Sequence, residues 1–406
     1  MHALTILHRC LDALLTCVHR RRRETLFAAV SACVSGPRLT LTDIGRRFDA
    51  KTSLRHGIKR ADRLLGNGKL QGERRTFYAA LCRVLLARVA EPLILIDWSD
   101  LKADQSVHLL RASLAVGGRS LTLYEEVHGQ QLLGNRGVQT RFLRTLATLL
   151  PAHVAPIIIA DSGFKVPFYR EVEHLGWRWV GRVRGRDFLR PQDRWVSCKT
   201  LFKRATATPT ALGVGDWVRS NPIAAVMVLV RLAPKGRRGN NAFGKRSRSK
   251  ASQQSARAAK EPWLLVASPK LAERPAKHVV KLYRQRMQIE ESFRDMKSQH
   301  FGEGLERSRS NGVGRFSVLV LIASLAAFLL WLLGTAAEAA GLHEQLHPSN
   351  RKRRVYSKLF LARLLLVLDR CHSELDRLVQ SITDVDQWVA KDHDALLLGG
   401  AAHGAI

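Results

Sequence analysis

The eighteen residues from Phe316 to Leu333 carry no charge, and only Ser317 and Ser324 interrupt their apolar and small neighbours. As a helix this run is apolar on every side, so it either crosses a bilayer or sits inside a core that surrounds it. It is near the lower length limit for a span, and no comparable segment accompanies it, so a buried core helix is expected and no membrane. A chain of 406 residues has ample length to build that core, in two to four domains.

Just upstream, Lys281 to Lys297 reads as one helix. At roughly 100° per residue, Tyr283, Arg286, Glu290 and Lys297 fall within a stripe about 60° wide. Leu282, Ile289, Phe293 and Met296 form an apolar stripe beside it. Such a helix lies on a core and presents one carboxylate among cations. The alternative is a solvated face with Arg286 to Glu290 and Glu290 to Arg294 as ion pairs one turn apart.

Two strand-like runs bear on that choice. Leu93 to Asp97 and Pro156 to Asp161 are short, apolar and closed by an aspartate. Between them, Val107 to Val116 and Ser120 to Val127 read as strands joined by the hairpin signal Gly117-Gly118-Arg119, and a helix covers about 140–149. A helix at 166–175 and a strand at 178–183 follow. The order then breaks into a β-rich stretch, with Asp216 to Leu232 as its clearest strand character and Pro234 to Lys260 as a mobile basic loop. Trp263 to Ser268 resumes as a strand.

The net charge of +32, from 66 Lys and Arg against 34 Asp and Glu, calls for a polyanionic partner. The first ~90 residues look helical and basic, with the run Arg20 to Arg23, a segment Leu41 to Phe48 capped at Thr42-Asp43, and Arg55, Lys59, Arg60 and Arg63 at helical spacing. Six scattered cysteines without CxxC spacing imply reduced thiols in a cytoplasm and no zinc site. The N-terminus lacks the layout of a signal peptide.

Carboxylates gathered at strand ends repel one another and are costly to bury unpaired. Divalent cations relieve both costs, and hard oxygen donors suit Mg²⁺ or Mn²⁺. Two such ions activate an attacking oxygen and stabilise a leaving one in phosphodiester chemistry. In that arrangement Asp97 bridges both metals, and Asp161 and Glu290 hold one each.

These residues resemble a known family. Asp97 closing Leu-Ile-Leu-Ile-Asp-Trp, Asp161-Ser-Gly-Phe164 and Tyr283-x2-Arg286-x3-Glu290-x6-Lys297 together look like the DDE transposases of the insertion-sequence-four family and their YREK signature. The resemblance runs from the first residues to about Leu333. It implies an α/β RNase H-like catalytic core with a β-rich insertion, an N-terminal helical DNA-binding domain and a C-terminal helical region. The corresponding boundaries are 1–90, 91–183, 184–260, 261–345 and 346–406.

It also implies cut-and-paste transposition of a bacterial insertion sequence through a DNA hairpin, with the freed 3′-OH ends joined to target DNA. Double-stranded DNA is then the partner, held as paired ends by a dimer. Tyr283, Arg286 and Lys297 are expected to hold phosphates, and Trp263 to stack on a flipped base. An RNase H-like nuclease or junction resolvase without strand transfer is the alternative, but it gives no reason for the three companions of Glu290.

Overall fold

The computed structural model describes residues 2–36, 38–48, 53–185, 187–233, 246, 249–250, 253, 256, 260–299, 302–347, 354–368 and 372–398. Most of the basic tract 234–260, most of the run 351–354, and Cys371 lie outside the described residues.

In chain order the helices are α1 (His2–Leu11), α2 (Arg20–Val34), α3 (Leu41–Arg46), α4 (Leu54–Leu65), α5 (Gly68–Leu86), α6 (Arg136–Leu149), α7 (Val166–His174) and α8 (Cys198–Phe202). They continue with α9 (Ala276–Arg284), α10 (Met287–Lys297), α11 (Val313–Ala339), α12 (Leu342–Leu346), α13 (Lys358–Val367), α14 (His372–Ser381) and α15 (Val385–Leu398). The strands are β1 (Leu93–Asp100), β2 (Val107–Ala115), β3 (Ser120–Gly129), β4 (Ile157–Ala160), β5 (Arg178–Val183), β6 (Phe188–Arg190), β7 (Val196–Ser197), β8 (Thr210–Trp217), β9 (Ile223–Val230) and β10 (Trp263–Ala267). The chain divides into two compact units, one made of Met1–Pro156 with Gln285–Ile406 and the other of Ile157–Arg284.

In the first unit β1, β2 and β3 form antiparallel pairs. Every residue of β2 is buried, so both faces of this sheet are covered. The β2–β3 turn uses Gly117 and Gly118 at φ +84° and +92°, a conformation that side chains rarely adopt. Helix α11 is the apolar run of the sequence extended to 27 residues, and 94% of its most apolar window is buried inside the fold. It packs against α2, α5, α13 and β3, which accounts for a helix with no polar side.

Among the N-terminal helices, α3 and α4 cross at two glycines. A Cβ on Gly57 would stand 2.2 Å from the Gly45 carbonyl oxygen, so only glycine allows this approach. The cap of α3 is Thr40, whose Oγ1 accepts from the Asp43 amide at 3.2 Å, rather than the Thr42-Asp43 pair. The C-terminal helices are tied to the same unit. His393 Nε2, buried, accepts from the Leu93 amide at 3.0 Å, and Arg9 Nη1 donates to the Val379 carbonyl at 2.7 Å.

In the second unit the strand order is β4-β5-β10-β9-β8-β6-β7, with β4 and β5 parallel and the rest antiparallel. The sheet is therefore mixed. Its core is aromatic, with Tyr169 packed between Trp179 and Trp217 at centroid distances of 4.5 and 5.5 Å.

Candidate active site

Register places the key side chains. Asp97 on β1 lies opposite Arg111 on β2, and Arg111 lies opposite Glu125 on β3. Directly paired residues share a face, so the three form one row across the sheet. Helix α10 covers that face. The Arg111 guanidinium sits 5.2 Å from the Phe293 ring centre, and its Nη2 donates to Met296 Sδ at 3.2 Å.

The inner part of the row is closed. Glu125, with no exposed surface, accepts from Arg111 Nε at 2.7 Å, from the Tyr78 hydroxyl at 2.9 Å and from Ser324 Oγ at 2.8 Å. Both charges are thus paired and hydrogen-bonded, the condition under which burying them is tolerable.

The outer part opens onto a cleft. Arg286 donates from Nη1 to Asp97 Oδ2 at 3.2 Å and from Nη2 to Glu290 Oε1 at 2.5 Å. The Asp97 and Arg286 side chains are 14% and 15% exposed, and that of Glu290 is 41% exposed. Asp97 Oδ1 also accepts from the Trp98 amide at 2.8 Å. Lys297 Nζ donates to Ser99 Oγ at 3.0 Å. Burial pulls the Lys297 ammonium below its ordinary pKa, against the opposing charges of Asp100 and Glu306. A cavity of about 450 Å³ is lined by Asp97, Ser99, Glu290, Arg294, Lys297 and Glu306, among others.

Three sequence expectations change here. First, Asp97 does not end its strand, because Trp98, Ser99 and Asp100 keep pairing with Leu110, Leu109 and His108. Second, the helix expected from Lys281 to Lys297 is interrupted at Gln285 and Arg286, so Tyr283 belongs to α9 and Glu290 and Lys297 to α10. At the interruption the Gln288 and Ile289 amides bond back three residues, to the Gln285 and Arg286 carbonyls, at 2.9 and 3.2 Å. Third, the Arg286–Glu290 pair exists but is not solely a surface pair, because the same guanidinium reaches Asp97. Arg294, the other expected partner of Glu290, pairs with Glu291.

The remaining expected residues lie in the second unit. Asp161 follows β4, and its Oδ1 accepts from the Gly163 amide at 2.7 Å in a tight turn. Trp263 opens β10 half-buried, with Arg182 5.6 Å from its ring centre. Tyr283 is buried, its ring edge-on to Trp263 at 5.1 Å. The structure therefore brings together Asp97, Arg286, Glu290 and Lys297 within one unit. Sequence reasoning missed Arg111, Glu125 and Ser99, although an arginine inside the apolar run of β2 was a signal that a buried acid must face it.

Asp97 and Glu290 already converge on a cation, the Arg286 guanidinium. Carboxylate oxygens are also the donor type that a hard divalent ion takes. Among the described residues no group of three or more His, Cys, Asp or Glu gathers in a metal-holding arrangement.

No curated protein matches the chain. A family model described as the transposase DDE domain matches residues 89–329, a span that includes Asp97, Asp161, Trp263, Tyr283, Arg286, Glu290 and Lys297. The match spans more than half of the sequence, and the chain belongs to the DDE transposase family.

Proposed function

We propose that this chain is the cut-and-paste transposase of a bacterial insertion sequence, working in the cytoplasm on double-stranded DNA. It binds the terminal inverted repeats, excises the element through a hairpin intermediate and joins the 3′-OH ends to target DNA. The observation that carries this reading is the convergence of Asp97 and Glu290 on one cation at the wall of an open cleft.

Asp97, Asp161 and Glu290 are the residues that would hold two Mg²⁺ or Mn²⁺ ions. When bound, these ions supply Lewis acidity to the attacking and leaving oxygens. Arg286 offers a planar fork and can exchange a carboxylate for a phosphate oxygen with little loss of geometry. Lys297 contributes a point charge that is stronger for being partly desolvated. Tyr283 completes the phosphate-holding set. Trp263 presents an aromatic ring on which a flipped base can stack, easing the sharp bend of a hairpin. Two copies hold the paired ends.

The test is to incubate the protein with Mg²⁺ and duplexes carrying the DNA ends that flank its gene, then resolve the products. Nicked, hairpin and joined species are expected in succession. Nicks that never become hairpins or joined products would replace this reading with the nuclease. Trp263→Ala should keep the first nick and lose most of the hairpin, whereas equal loss of both steps would make Trp263 a packing residue only.

A further inference from the structure

A second concavity in the first unit is about twice the volume of the cleft, at about 930 Å³. One wall is α3 with the residues before it, and the other is the segment after α10. Five arginines line it, Arg38, Arg46, Arg307, Arg309 and Arg315, against two carboxylates, Asp43 and Glu306, an excess of three positive charges. Arg46 lies 3.9 Å from Asp43, Arg315 pairs with Asp62 at 2.6 Å, and Arg307 Nε donates to Gln299 at 2.6 Å. Arg38 and Arg309 are exposed, and neither pairs with a carboxylate among the described residues.

The walls are held in place. The Leu39 amide donates to the Glu303 carbonyl at 2.5 Å, and Leu305 and Ser310 are buried anchors of the outer segment. Like charges fixed around a solvent-filled groove repel one another, so the arrangement favours an anionic occupant. The groove is too large for one phosphate, and hydroxyl and amide groups of Thr42, Ser308 and Asn311 alternate with the arginines, as in surfaces that track a sugar-phosphate backbone. Glu306 lines both this groove and the cleft, so the two adjoin.

We propose that this groove seats the phosphate backbone of duplex DNA running on from the scissile phosphate, with Arg38 and Arg309 as direct contacts. The proposal rests on the transposase reading and extends it to residues outside the metal and phosphate set named above. It predicts a specific loss of counterion release.

The experiment measures binding of a fluorescent duplex carrying the flanking end over a series of salt concentrations. It compares wild type, R38A/R309A and the control R377A/K391A, which removes two exposed charges from α14 and α15. Thermal unfolding verifies each fold, and R38Q/R309Q replaces the alanine pair if that pair unfolds. The slope of log K against log salt should become shallower by about 1.8 for the groove variant, about 0.9 per lost contact, and stay unchanged for the control. An unchanged slope in the groove variant overturns the groove while leaving the transposase reading intact. Equal changes in both variants make the effect one of net charge only, and a wild type that binds no duplex overturns both proposals.

Discussion

Two arginine–carboxylate arrangements lie side by side on one face of the β1–β3 sheet, and they differ in what surrounds them. Glu125 and Arg111 are sealed, with Tyr78 and Ser324 completing the hydrogen bonds of the acid. Asp97 and Glu290 share Arg286 at the wall of a cleft. The sealed pair cannot exchange its partner without leaving a charge buried and unpaired. The open one can. The two arrangements use the same residue types and differ in their access to solvent.

Glu290→Gln should lower Mg²⁺-dependent cleavage by about a thousandfold or more while leaving thermal stability near wild type, because its side chain is already part-exposed. Glu291→Gln, whose acid pairs with Arg294, should stay within a few-fold of wild type in the same assay. Comparable losses in the two variants would remove the distinction between these neighbours.

Glu125→Ala should behave in the opposite way. Stranding Arg111 in the core is expected to cost about 3–5 kcal/mol, read as a large shift in chemical or thermal unfolding. Replacing both partners with Met and Leu should recover much of that loss, and a Glu125→Ala protein as stable as wild type would show that the pair is dispensable. A smaller effect is expected from Arg286→Lys, which keeps the charge but not the fork. Cleavage should fall roughly ten- to a hundredfold with little change in stability.

Glu303 sharpens the contrast as a third case, buried yet poorly paired. It is 4% exposed, lies 3.6 Å from Arg363, and leaves Oε2 without a hydrogen bond. Burial pushes its carboxyl up to about 8 from an ordinary 4.5. Between those values the folded state binds the proton that the unfolded state has released. Stability from this group is thus complete below pH 4.5 and declines as the pH rises through 8. Glu303→Gln should flatten the decline and raise the melting temperature at pH 8, by about 1 °C for each 1 kcal/mol recovered in a chain of 406 residues. Parallel pH profiles for the two proteins would show that Glu303 does not titrate in this range.

Much of this architecture could be read from the chain. The apolar run at Phe316 needed a surrounding core, and β2, β3 and β5 fall where alternation and turn residues put them, because these signals are local. The interruption at Gln285 and Arg286 left no such trace, since neither residue breaks helices. It accompanies distant contacts, with Gln288 Oε1 accepting from the Val116 and Gly117 amides at 3.0 and 3.2 Å and Arg286 reaching Asp97. The row Asp97–Arg111–Glu125 was hidden for a related reason, because register between strands is not a property of either strand alone. His393 docking on the start of β1 joins residues 300 positions apart, and nothing near either one announces it.

Asp97 is proposed to serve the chemistry of DNA cleavage rather than the fold. Single-turnover cleavage of a duplex carrying the flanking DNA end, in Mg²⁺, by Asp97→Ala at a concentration that saturates the DNA, tests it directly. Bound DNA and no detectable strand scission are expected over times in which wild type goes to completion. Cleavage by Asp97→Ala at the wild-type rate would contradict that role.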